Sequence, residues 1–99
     1  MDVSMKLASF FYLKGEQMIR ISEHGKQRLK ERTEIPRGNQ KRFVYAGRYS
    51  GVPLEQVQDP TLRNELIMRF QERRSIVRYY NGYVFVFSKT NVMKTVVKV

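Results

Sequence analysis

Asn81-Gly82 constrains this chain more than any other pair of residues in it. The pair stands between Ile76–Tyr80 and Tyr83–Ser88, two runs rich in β-branched and aromatic residues, and both of its residues tolerate the positive φ of a type I′ turn. A two-residue turn sets the register: Tyr80 faces Tyr83, Arg78 faces Phe85, and Ile76 faces Phe87. Lys89-Thr90-Asn91 reads as a second turn and Val92–Val99 as a third strand. With three residues in that turn, Met93 lies beside Phe87 and Thr95 beside Phe85. One sheet face then carries Arg78, Phe85 and Thr95 in a row, bordered by Tyr80 and Tyr83. The other carries Val77, Tyr79, Val84, Val86, Val92 and Val96, with Lys94 and Lys98 near its ends. The valine-rich face is the better core surface. The aromatic face reads as a platform for stacking bases, or as a second core surface under a helix.

Everything upstream has a helical signature. Met18–Ile21 is a short strand or lead-in, and Ser22 is an N-cap for a helix over Ser22–Thr33 whose narrow apolar stripe is Leu29 with Gly25 one turn earlier. Ile35-Pro36 ends that helix, and a second, over about Asn39–Tyr49, has Phe43, Val44, Ala46 and Gly47 on its apolar side. Ser50–Gln58 is loop. Asp59-Pro60 starts a third helix, Pro60–Arg74, in which Leu62, Leu66 and Phe70 recur at four-residue spacing. The predicted fold class is α+β: two to three N-terminal helices followed by a C-terminal antiparallel meander of three or four strands. Residues 18–99 are expected to form a single domain. Residues 1–17 are expected to be an optional or non-native extension, with translation starting at Met18. They lack a helix cap and a secretory cleavage site, and Lys14-Gly15-Glu16 can be encoded by a ribosome-binding sequence. The other reading of this segment is an N-terminal strand over Phe10–Leu13.

Charge narrows the function classes. Nineteen Lys+Arg against nine Asp+Glu give a net charge of +10 on 99 residues. Residues 20–48 alone hold nine bases against three acids, and residues 76–99 hold four bases and no acid, so the surplus belongs to the folded body rather than to a tail. Such a surplus points to a polyanionic partner, RNA or DNA, or to an acidic protein. The absence of cysteine excludes disulfide scaffolds, thiolate zinc sites and cysteine nucleophiles, and a single histidine excludes a histidine-cluster metal centre. No apolar stretch is long enough to span a membrane, and the expected setting is cytoplasmic, with no cofactor.

His24, Arg28 and Arg32 stand at i, i+4 and i+8 of the first helix, where like charges repel unless a phosphate lies among them or Glu23 and Glu31 compensate them. The string Ile21-Ser-Glu-His24-Gly-Lys-Gln-Arg28-Leu-Lys-Glu-Arg32, together with Arg78-Tyr-Tyr-Asn-Gly-Tyr-Val-Phe-Val-Phe87 and Thr95-Val96, resembles a family of small prokaryotic and phage HxxxRxxxR domains of unknown function. That family in turn looks like part of the barnase–EndoU–colicin–RelE group of ribonucleases, many of them toxins. The resemblance covers roughly residues 19–97. It implies a metal-independent RNA-cleaving site made of His24, Arg28, Arg32, Arg78 and Thr95, and an acidic antitoxin as a further class of partner.

Such a site would work by 2′-hydroxyl attack. His24 is the one side chain whose ordinary titration range suits proton transfer near neutrality, the arginines would clamp the phosphate, and Thr95 would donate a hydrogen bond. Lys30, Arg42, Arg73 and Arg74 would follow the nucleic-acid backbone, and Tyr80 or Tyr83 would stack a base. The rival readings are a non-catalytic nucleic-acid-binding regulator of a phage or mobile element, and a basic protein-binding inhibitor.

Overall fold

A computed structural model describes residues 18–70 and 74–99. The extension expected over residues 1–17 lies outside the described residues. The chain runs β1 (Arg20–Ile21), α1 (Glu23–Arg32), a 3₁₀ turn (Arg37–Asn39), α2 (Gln40–Tyr49), a second 3₁₀ turn (Leu54–Gln56), α3 (Pro60–Arg69), β2 (Ser75–Tyr80), β3 (Tyr83–Ser88) and β4 (Val92–Lys98). The fold is α+β, with three helices preceding the meander. The four strands lie in the order β1-β4-β3-β2, so the fourth strand comes from before the helices and pairs parallel to β4. The sheet is therefore mixed and not a pure antiparallel meander.

The hairpin forms in the expected register, Tyr80 with Tyr83, Arg78 with Phe85 and Ile76 with Phe87. Asn81 and Gly82 take φ of 51° and 84°, the two positive values that a type I′ turn requires. Ser22 caps α1 by accepting from the Gly25 N–H (2.9 Å), and Asp59 caps α3 through the Thr61 N–H (3.0 Å). α3 ends at Arg69, not Arg74, because Phe70 leaves the helical conformation (φ −118°, ψ 53°) and packs its ring into the core. The loop expected over Ser50–Gln58 contains the second 3₁₀ turn with buried Leu54, and Val52 exchanges two 2.9 Å backbone hydrogen bonds with Tyr79 at the edge of β2.

One register expectation fails. Phe87 pairs with Met93 as predicted, but Val86 then pairs with Thr95 and Phe85 with Val96. Between these pairs β4 holds one extra residue, a bulge at Lys94, whose Nζ donates to Ser75 Oγ (2.8 Å). The bulge changes the phase of the strand, so Thr95 leaves the aromatic face and Val96 joins it. Met93 and Val96, three residues apart, are both fully buried on the same side, which an unbroken strand cannot achieve.

Both sheet faces are covered. Phe85, Phe87, Met93 and Val96 pack with Leu29 of α1 and Val44 and Tyr45 of α2, while Val84 on the other face packs with Leu54, Val57 and Leu66. The aromatic face is thus a core surface rather than a stacking platform, and the domain has three layers. Gly47 makes the α2 contact possible: a Cβ at this position would sit 2.6 Å from the Phe85 ring. Phe85 cannot give way, because Phe43 and Phe87 flank it. The Gly47→Ala variant should therefore be less stable, since overpacking costs about 1–3 kcal/mol and alanine returns only about 1 kcal/mol of helix propensity. Thermal unfolding should show a Tm several degrees lower. Gly38→Ala, where an added Cβ meets nothing within 4 Å, should leave Tm unchanged or raise it.

Candidate nucleic-acid interface

The ridge of α1 does not run straight. Residues four apart on an α-helix advance by about 40° beyond a full turn, so the line from His24 through Arg28 to Arg32 winds from solvent toward the sheet. His24 is exposed, Arg28 is half-buried, and Arg32, itself exposed, donates from Nη1 to the Val96 carbonyl of β4 (3.2 Å). Arg32 therefore holds α1 to the sheet. Arg28 faces the other way along the helix: its Nε–H donates to His24 Nε2 (3.1 Å) and its Nη1 to Glu31 Oε2 (3.0 Å). In the first contact Nε2 of His24 is the acceptor. The Gln27 amide, and then Arg28, hold the Glu31 carboxyl below its ordinary range. The like-charge problem of the ridge is thus partly resolved within the helix, by a carboxylate the ridge itself does not contain.

Arg78 lies elsewhere. Its Nη1 donates to the carbonyl of Val77 on its own strand (2.9 Å). Across the sheet the row is Arg78, Phe85, Val96, and Gly47 of α2 rests on the Phe85 ring. Helix α2 therefore stands between Arg78 and the carbonyl that Arg32 holds. Thr95 faces the opposite side of the sheet, with Val86. The structure brings His24 and Arg28 together, leaves Arg32 on the sheet, and separates Arg78 and Thr95 from all three. Tyr80 and Tyr83 are half-buried around Phe43, with ring centroids at 6.4 and 5.2 Å, so part of each ring is taken up in core packing.

The expected backbone contacts fare differently. Lys30, Arg42 and Arg74 are exposed, and Arg73 lies outside the described residues. Lys30 at the end of α1, Arg37 in the 3₁₀ turn, and Lys41 and Arg42 at the start of α2 form an exposed run. Among the described residues the ion pairs are Lys26–Glu23 and Arg28–Glu31, so none of these four cations is in one. No three His, Asp or Glu side chains among the described residues cluster as metal ligands, and none of the described helices is long and apolar enough to cross a membrane. Sequence reasoning passed over Arg48 of α2, which is half-buried and donates from Nε to the side-chain oxygen of Asn91 (3.0 Å). Nothing in the local pattern marks it, because its partners come from a turn 43 residues away.

Comparison of the chain with known protein families, with curated proteins and with solved structures finds no match.

The two arginines of the ridge should behave differently when removed. Arg32→Ala should lower stability by about 1–2 kcal/mol through the lost hydrogen bond to Val96. Arg28→Ala, which removes only an i,i+3 pair at the helix surface, should stay within about 0.5 kcal/mol of the wild type. Urea unfolding of the two variants checks the contrast.

Proposed function

We propose that this domain binds RNA by its phosphates along the exposed side of α1 and the start of α2. The observation that carries the reading is the run Lys30, Arg37, Lys41 and Arg42, four exposed cations on one continuous stretch of surface chain with no ion pair among the described residues. Cations outnumber the two exposed carboxylates of this stretch, Glu31 and Glu34, and such a surplus gains most from a partner that releases condensed counterions on binding. Arg28 extends it at the other end, where a phosphate would compete with Glu31 for the guanidinium.

The contact between Arg28 and His24 favours cleavage as a second reading. An imidazole beside a guanidinium pairs a candidate base with a phosphate clamp, and the 2′-hydroxyl of RNA gives that base a proton to take. When Arg28 turns to a phosphate, Nε2 of His24 is released to accept the 2′-hydroxyl proton. The 2′-oxygen then attacks phosphorus, the bond to the 5′-oxygen breaks, and that oxygen takes a proton from water. The product is a 2′,3′-cyclic phosphate.

Fluorescence anisotropy on single-stranded RNA tests the binding. Affinity should fall steeply with salt, and Lys41→Ala or Arg42→Ala should each lower the log–log slope by about 0.7, the value for one phosphate contact on a single strand. Affinity independent of salt overturns the reading and points to a protein partner held through apolar surface. Glu31→Gln should tighten RNA binding severalfold at low salt, because it releases Arg28 and adds one positive charge, and the gain should vanish at high salt. For cleavage, wild-type protein incubated with RNA in EDTA should generate cyclic-phosphate ends and His24→Ala should lose roughly 100-fold or more in rate. Intact RNA with the wild type leaves the domain a non-catalytic binder.

A further inference from the structure

We propose that Asn81 is a modification site: when the turn between β2 and β3 opens, its side-chain amide is lost to attack by the Gly82 nitrogen, and the isoaspartyl product cannot re-form the turn. The hairpin itself selects the reactive pair. A type I′ turn favours Asn-Gly because both residues tolerate positive φ, and Asn81 and Gly82 take 51° and 84°. Glycine is also the residue that least obstructs attack by its own nitrogen on the side chain before it, because it has no Cβ. Asn39, Asn64 and Asn91, the other asparagines of the chain, are followed by Gln40, Glu65 and Val92. Asn81 is exposed, and a Cβ built on Gly82 would meet nothing within 4 Å.

The chemistry needs only water. The Gly82 nitrogen attacks Cγ of Asn81, the Cγ–N bond of the side-chain amide breaks, and ammonia leaves with the proton that the Gly82 nitrogen has given up. Water then opens the resulting succinimide at either carbonyl. Opening at the side-chain carbonyl gives aspartate with an unaltered backbone. Opening at the main-chain carbonyl gives isoaspartate, whose backbone runs through the former side chain and is one carbon longer.

The folded turn holds this reaction back. Ring closure requires the Gly82 nitrogen and the Asn81 Cβ on the same side of the Cα–C bond. At a ψ of about +30°, the value for the first central residue of a type I′ turn, the nitrogen stands nearly opposite Cβ. The turn must therefore open first, and two contacts resist opening. Tyr80 and Tyr83, the pair that closes the turn, both pack on Phe43, and the Val99 N–H donates to the Gly82 carbonyl (2.9 Å). After reaction the two products part. Asp-Gly suits a type I′ turn as Asn-Gly does, so the aspartyl chain refolds its hairpin. The isoaspartyl chain has a longer loop where loop length sets the register of Arg78 with Phe85 and Ile76 with Phe87.

The test is incubation of the full chain at mildly alkaline pH, native and in urea, followed by peptide mapping for isoaspartate. Isoaspartate should appear at Asn81 and form about tenfold or more faster in urea, because opening precedes attack in the native state. Val99→Pro, which lacks the N–H that holds the Gly82 carbonyl, should convert about fivefold faster than the native wild type, the weight of one net backbone hydrogen bond. The isoaspartyl fraction, separated chromatographically, should unfold at a Tm several degrees below that of the unmodified protein, whereas Asn81→Asp should keep its Tm. Equal rates in the two states, no gain in Val99→Pro, or no isoaspartate at Asn81 in the native protein over weeks overturns the proposal. An isoaspartyl fraction as stable as the unmodified protein overturns it as well.

Discussion

The carbonyl of Met93 is where the domain is joined. It accepts the Ser22 backbone N–H (3.2 Å) and the Ser22 hydroxyl (3.1 Å), and that hydroxyl in turn accepts the Gly25 N–H. One acceptor thus ends the parallel pairing of β1 and fixes the first turn of α1 against β4. Gly25 is required there, because a Cβ would lie 2.6 Å from the same oxygen. Helix α1 can lie this close only while no side chain intervenes, and Leu29 and Arg32 follow onto the sheet one and two turns later. A second tie completes the arrangement: the Tyr45 hydroxyl of α2 accepts the Ile19 N–H just ahead of β1 (3.0 Å). Both helices on this face are positioned by how they hold one two-residue strand.

This junction also separates what was legible from what was not. Turn chemistry and caps are local, so Asn81-Gly82, Ser22 and Asp59 announced their elements, and the close approach at Gly25 followed from a glycine one turn before Leu29. A short strand was one reading of Met18–Ile21, but its parallel place beside β4 was beyond reach, because that pairing is fixed by Ser22, Tyr45 and Met93 together and not by the strand's own pattern. The bulge has no local marker either, since Lys94 is an ordinary exposed residue in an ordinary strand. That single residue removed Thr95 from the proposed site. Arg32 left it for another reason: reading i, i+4, i+8 as a line ignores the drift of an α-helix, which over two steps brings the guanidinium of the exposed Arg32 to a carbonyl of β4.

Net charge overstates the cations available to a ligand. Arg32, Arg63 and Arg78 each donate to a backbone carbonyl, those of Val96, Val57 and Val77. In a small three-layer domain, carbonyls at strand edges and in loops need donors, and a long side chain with five N–H groups can supply one while keeping the rest. Arginine therefore does two jobs here, and lysine, exposed at Lys26, Lys30 and Lys41, does one. The positions at which Arg→Lys exchange is tolerated should divide along that line.

The bulge in β4 has a consequence for how such a domain can change over time. Substitutions along Val92–Lys98 alter one contact each, and loss of Lys94 would leave Met93 beside Phe87, Thr95 beside Val86 and Val96 beside Phe85, a regular strand in the same register. A residue lost from the strand after Val96 has no such slack, and the side chains beyond it would change faces. The bulge is therefore where the last strand tolerates a change of length. A deletion of one codon at Lys94 is a milder event than the same deletion a few residues later.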